Sequence, residues 1–169
     1  MRCQRFTRSG IAIRKGYCWP LMGASSQMST GQRAETRSII SNPGKNYGWP
    51  TVSYGIDYSG GRISPFEAYP ETEQSLVHFT PSIAPSGFAQ YSGDKFPDWQ
   101  GDLFLSALAL THVRHVEMSP DGSLGAQAEL FGELGERFRD VRTGPDGYLY
   151  LLTESKDDPM SRILRVRPN

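Results

Sequence analysis

The sequence predicts an all-β chain, and three observations predict it. Short strand-like runs alternate with turn signals from Pro43 onward, two nearly identical Pro-Asp-Gly turns lie 25 residues apart, and no stretch sustains a helical period. The 169 residues are 37% hydrophobic, with 18 Gly and 12 Pro, enough for one domain-sized core. Eighteen Lys and Arg cancel eighteen Asp and Glu, so no net charge draws the chain to nucleic acid or to an anionic membrane. The longest apolar stretch, Leu103 to Leu110, is broken by Ser106 and falls far short of the ~20 residues that cross a bilayer. Cys3 and Cys18 form no CxxC pair and no His cluster has metal spacing, so neither a zinc site nor a disulfide framework is indicated.

Taken in chain order, residues 1–37 carry seven basic residues against the single acid Glu35, while residues 38–169 carry eleven against seventeen. The first piece has no lasting hydrophobic period and lacks the apolar core of a secretory signal. Its basic, acid-poor texture is that of a transit peptide or a disordered arm. Asn46 to Pro50, Tyr58 to Gly61 and Pro65 to Ser75 read as loops. Pro81 and Pro85 stiffen the approach to the next run, since Pro cannot sit in a central strand. Strands are expected at Ser86 to Tyr91, Asp102 to Ala109, His112 to Met118, Gly125 to Phe131, Arg137 to Thr143, Tyr148 to Thr153 and Arg162 to Val166. Ser119-Pro120-Asp121-Gly122 and Gly144-Pro145-Asp146-Gly147 each join two of these as a hairpin: proline presets the first turn dihedral, Asp bonds the backbone and Gly accepts positive φ. The resulting meander suits propeller blades or a β-sandwich.

Arg137 and Arg139 are the sharpest chemical feature. At i and i+2 of a strand they share a face, with Phe138 on the other, and two adjacent guanidinium forks suit a carboxylate or phosphate ligand. The plainer alternative is two solvated arginines beside Glu136 and Asp140. Tyr47 and Trp49 could stack on a sugar or simply cap a corner. His112 and His115 differ by three positions and face opposite ways on a strand, and no motif sets a carboxylate against either or against His78. GxSxG, Walker and GxGxxG motifs are lacking.

The segments GKNYGWPTVSYGIDYSG (Gly44 to Gly60), TPSIAPSGFAQYSGDKFPDWQGDLFLSAL (Thr80 to Leu108) and ERFRDVRTGPDGYLYLLTE (Glu136 to Glu154) together resemble the soluble pyrroloquinoline quinone (PQQ) dependent aldose sugar dehydrogenases of the glucose/sorbosone dehydrogenase family. The resemblance runs from about Pro43 to Pro168. It implies the C-terminal two to three blades of a six-bladed β-propeller that binds PQQ and calcium and oxidises the C1 hydroxyl of an aldose to a lactone, with hydride passing to the quinone. It further implies that Arg137 and Arg139 are the paired arginines beside the cofactor. Glu154 stands where relatives often have an Asp near the same pocket, and Tyr47 lies in a loop whose backbone helps hold a structural calcium. A periplasmic or secreted location follows from the same resemblance, while the electron acceptor and oligomeric state do not.

Departures accompany it. Ala109 stands near the position of a cofactor-contacting Lys, and Phe79 replaces a frequent Trp. None of the three histidines falls on the position of the family's catalytic base, which belongs to blades upstream of the matched segments, so the chain is expected to be inactive alone. The alternative is a non-catalytic propeller-derived module that binds a carbohydrate or a protein. Residues 1–42 are expected to be a non-homologous basic leader, and residues 43–169 the partial propeller. Relatives carry Gly-Gly-Asp-Glu before the PGKNYGWP segment. Permitted codons for Arg33 to Ser38, read from their third base, encode Gly-Gly-Asp-Glu-Ile, so the leader is compatible with an out-of-frame translation.

Overall fold

A computed structural model of the chain describes residues 19–21, 24–30, 36–41, 45–48, 51–56, 59–74, 77–79, 82–155 and 161–168. Contacts divide it into two compact units, Met1–Ile83 and Ala84–Asn169. In the first unit, β1 (Trp19–Leu21), β2 (Ala24–Thr30), β3 (Thr36–Ser41) and β4 (Val77–Phe79) form one antiparallel sheet in that order. The leader, expected to lack regular structure, therefore carries three strands. Its Ser- and Thr-rich runs show no apolar alternation, but a ladder is built from backbone groups, and pairing in register with Val77–Phe79 supplies the partner that the local sequence does not announce.

The Asn46 loop is tied by its own backbone. The Asn46 side chain accepts from the Gly48 N–H at 2.9 Å, the Gly48 carbonyl accepts from Val52 N–H at 2.7 Å, and the Asn46 carbonyl accepts from Glu73 N–H at 2.8 Å. Gly48 has φ +83, and a Cβ there would lie 2.7 Å from the Val52 side chain, so glycine is required twice over. Residues 65–74 form the expected exposed loop, held at Phe66 by a bridge to Val52.

In the second unit, β5 (Pro85–Gln90), β6 (Leu103–Ala107), β7 (Val113–Met118) and β8 (Leu124–Leu130) form a four-stranded antiparallel meander. β9 (Arg137–Thr143), β10 (Leu149–Glu154) and β11 (Ser161–Arg165) form a second meander of three strands. Each strand lies where the turn signals predict it, with ends displaced by no more than two residues. The apolar run Leu103 to Ala107 is buried along its whole length because β6 is an inner strand covered on both faces. Pro85 opens an edge strand, where its missing N–H leaves no ladder bond unmade.

Both Pro-Asp-Gly turns close hairpins, β7 to β8 and β9 to β10. Gly122 and Gly147 take φ +83 and +81, and their N–H groups bond back to the carbonyls of Ser119 and Gly144 at 2.9 and 3.0 Å. Asp121 accepts from the Ser123 N–H and hydroxyl at 2.9 and 2.6 Å, which holds its carboxyl below the usual carboxylate range.

The core of this unit gathers Ala89, Tyr91, Phe104, Val113, Phe138, Val141, Leu149 and Leu151, drawn from both meanders. Its one deep hydroxyl is satisfied. Tyr91 Oη donates to the Gly147 carbonyl at 2.5 Å and accepts from Lys95 and Phe96 N–H at 3.0 and 3.2 Å. The meanders meet most closely where β5 crosses β9. The Ser86 hydroxyl donates to the Phe138 carbonyl, and a Cβ on Gly87 would stand 2.7 Å from the Asp140 Cα and 2.8 Å from Ser106 Oγ.

Gly87→Ala is therefore expected to overpack this seam and cost about 1–3 kcal/mol. Gly132→Ala, whose nearest neighbour is the His112 Cβ at 4.0 Å, serves as the control and should stay within ~0.5 kcal/mol of the parent. Urea unfolding midpoints of the two variants check the difference.

Candidate functional site

Strand β9 begins with two basic side chains separated by one apolar one, and the register explains how they are presented. Phe138 is fully buried, while Arg137 and Arg139 each keep more than a third of their side chain in water. The shared face expected for the two arginines is thus the outward one. Pairing with β10 is interrupted: Leu152 faces Asp140 and Thr153 faces Phe138, which leaves Arg139 as the extra residue of a β-bulge. The bulge lets Phe138 and Val141, three positions apart, both reach the core, and it turns Arg139 outward beside Arg137.

Glu154 is brought to the pair by its register opposite Arg137 at the end of β10. Its Oε2 accepts from Arg139 Nε at 2.6 Å, is in contact with Arg139 Nη2, and lies 3.6 Å from Arg137 Nη1. Among the described residues, the other nearby acids are engaged elsewhere. Asp140 accepts from Arg142 Nε and from the Val141 N–H, both at 2.9 Å, and Glu136, buried, pairs with Arg162. The three predicted residues Arg137, Arg139 and Glu154 therefore form one cluster, half-exposed, with two positive charges and one negative. Such a cluster can hold an anion bearing more than one carboxylate, because two guanidinium groups carry more N–H donors than the single Glu154 oxygen accepts from.

Tyr47 is a buried side chain of the first unit's loop. The described residues contain no cluster of three or more His, Cys, Asp or Glu side chains able to hold a metal ion. Trp49 lies outside the described residues, as does the side chain of His78.

The sequence sets no carboxylate against a histidine, but the fold does. His115 Nε2 lies 2.6 Å from Asp102 Oδ2, and Asp102 Oδ1 accepts from the Met118 N–H at 2.9 Å. The ring stacks on Phe104 with centroids 4.9 Å apart. This pair is buried inside the first meander of its unit, and it becomes visible only once β6 and β7 are in register. His112 is buried too. Its Nδ1 sits 3.2 Å from the Leu110 carbonyl and 3.8 Å from Glu129, while Nε2 has no partner. Burial pushes this imidazole below the ordinary range, against the opposing pull of Glu129.

Residues 17–165 match the family model described as Glucose / Sorbosone dehydrogenase. The match takes in β1 to β3 and so begins upstream of Pro43, where the resemblance read from the sequence starts. The chain is 43% identical over 141 residues to Aldose sugar dehydrogenase YliI of Escherichia coli (strain K12), covering 82% of this chain and 37% of that protein. The structure is similar to that of the soluble aldose sugar dehydrogenase from Escherichia coli in the apo-form, with a TM-score of 0.79 and 36% identity over 95% of this chain and 44% of that one. The fold is also shared with the PQQ-bound form of aldose sugar dehydrogenase from Streptomyces coelicolor, at a TM-score of 0.63 and 20% identity over 90% of this chain and 43% of that one. The chain thus spans less than half the length of these relatives, and its meanders are blades of part of a propeller.

A histidine whose native form resists protonation makes stability depend on pH. As pH falls through the ordinary imidazole range, the unfolded chain takes up a proton at His112 more readily than the folded chain does, so stability at this site is whole above that range and falls below it. His112→Gln is expected to lose less stability than the parent between pH 7.5 and 5.5, as read from urea midpoints at each pH.

Proposed function

The chain belongs to the glucose/sorbosone dehydrogenase family, and from that premise we propose that Arg137 and Arg139 form the anion-holding wall of a PQQ site in an enzyme that oxidises the C1 hydroxyl of an aldose to a lactone. The observation that carries this reading is the bulged start of β9, which sets two guanidinium groups side by side on an outward face while burying Phe138 between them. The donor set fits PQQ. The cofactor is a planar polycarboxylate, and paired arginines keep their charge at any physiological pH and match carboxylate geometry. The Escherichia coli relative at 43% identity is named an aldose sugar dehydrogenase, and a fold neighbour holds PQQ, which supports the same assignment.

Bound PQQ would supply the two-electron acceptor for a C1 hydride. This chain's part is to hold and orient. The arginines fix the acidic edge, and β9, clamped to β5 through Ser86, keeps them from shifting. The C1 hydroxyl proton goes, in this reading, to a base that neither His112 nor His115 provides, since both are buried in the β5–β8 meander. Turnover by this chain alone is accordingly not expected. The described residues offer no side-chain cluster for calcium. The reading carries with it a periplasmic or secreted location. Among the described residues no helix is long and apolar enough to cross a membrane.

Replacing Arg137 and Arg139 together by Ala should weaken PQQ binding by about 100-fold or more, since each charged hydrogen bond is worth ~1.5–3 kcal/mol. Stability should change by less than ~1 kcal/mol, because both side chains are over a third exposed and their ion pair with Glu154 is screened. Calorimetric titration with PQQ and urea unfolding of the same samples separate the two effects; equal titration curves for parent and variant would remove the assignment.

A further inference from the structure

Glu154 lies in the site, yet its chemistry is wrong for touching the ligand assigned there. A carboxylate is an acceptor only and repels a polycarboxylate. Its contacts run to the arginines: all three fall on Oε2, with Nε and Nη2 of Arg139 and, at 3.6 Å, with Nη1 of Arg137. We propose that Glu154 is the positioning residue of this site, splinting the Arg139 guanidinium and cancelling one of its two positive charges, so that it sets how tightly the pair binds a polycarboxylate. The proposal rests on the PQQ reading above.

Three observations support the splint. Arg139 is the bulged residue, so no cross-strand neighbour fixes its side chain through regular alternation. A carboxylate on the Nε and Nη2 edge holds the guanidinium plane and leaves the Nη1 side to face a ligand. With a side chain 34% exposed, Glu154 gains little stability from the pair, so orientation and charge are what it contributes. Asp140 cannot stand in for it, being held by Arg142 and the Val141 N–H, and Glu136 is buried against Arg162.

Replacing Glu154 by Gln removes the charge and keeps a side-chain oxygen that accepts from Arg139. Replacing it by Ala removes both. Calorimetric titration of the full chain with PQQ at low salt should show E154Q binding about five- to ten-fold tighter than the parent, with the gain shrinking as salt rises. E154A should bind more weakly than E154Q, because Arg139 is no longer oriented. A readout without ligand accompanies this: the Arg139 Nε–H resonance should be slow to exchange with water in the parent and in E154Q, and exchange-broadened in E154A. E154Q binding no tighter than the parent, or an Arg139 Nε–H signal unaltered in E154A, overturns the role of Glu154. If that happens while the double arginine variant still loses PQQ, the site reading stands and only this inference fails. If the double arginine variant binds PQQ as the parent does, or if the parent binds none, both fall.

Discussion

A side chain at position 87 would collide with the backbone of Asp140, so β5 and β9 meet at a glycine, and the placement of the arginines follows from that contact. Ser86 adds a hydroxyl donated to the Phe138 carbonyl, and its oxygen lies 2.9 Å from the Ser106 hydroxyl, so the seam between the two meanders is polar, buried and satisfied. Because β9 is an edge strand of its own sheet, one of its sides has no ladder partner. The Ser86 hydroxyl takes up one carbonyl on that side, that of Phe138. With the Phe138 carbonyl held from the β5 side and its ring fully buried, the residues on either side of it have only the outward face left.

The far end of the same unit is held by a different device. Tyr91, buried at the end of β5, joins the loop at Lys95 and Phe96 to the Gly144–Gly147 turn through one hydroxyl. The ring packs edge-on against Phe96 and Phe104, with centroids 5.7 and 6.4 Å away. Both ends of β9 are therefore pinned to the β5–β8 meander, the first by a close backbone approach and the second by a tyrosine hydroxyl.

Charge is distributed with the same economy. Among the described residues, each acid near the arginines is engaged: Asp140 by Arg142, Glu136 by Arg162, Glu154 by the Arg137 and Arg139 pair. The two histidines of the unit follow another logic. His115 is matched by Asp102 inside the sheet, whereas His112 is buried with one ring nitrogen unpartnered, and desolvation lowers its affinity for a proton. Neither arrangement is that of an exposed general base.

The local code determined a great deal by itself. Pro-Asp-Gly at two places fixed two hairpins, because proline, aspartate and glycine each have one low-energy use in that order. The alternation of Arg137, Phe138 and Arg139 fixed which of the three would be buried. The segments Gly44 to Gly60, Thr80 to Leu108 and Glu136 to Glu154 carried the family. Tertiary structure decided the rest, for reasons of register and reach. The bulge at Arg139 depends on how β10 pairs with β9, and the Asp102–His115 pair depends on how β6 pairs with β7 across 13 positions. The strands of the leader depend on a partner at Val77–Phe79 that lies about forty residues downstream. For Glu154 the resemblance gives only a place near the pocket. That its Oε2 accepts from Arg139 is decided by the register of β10 against β9.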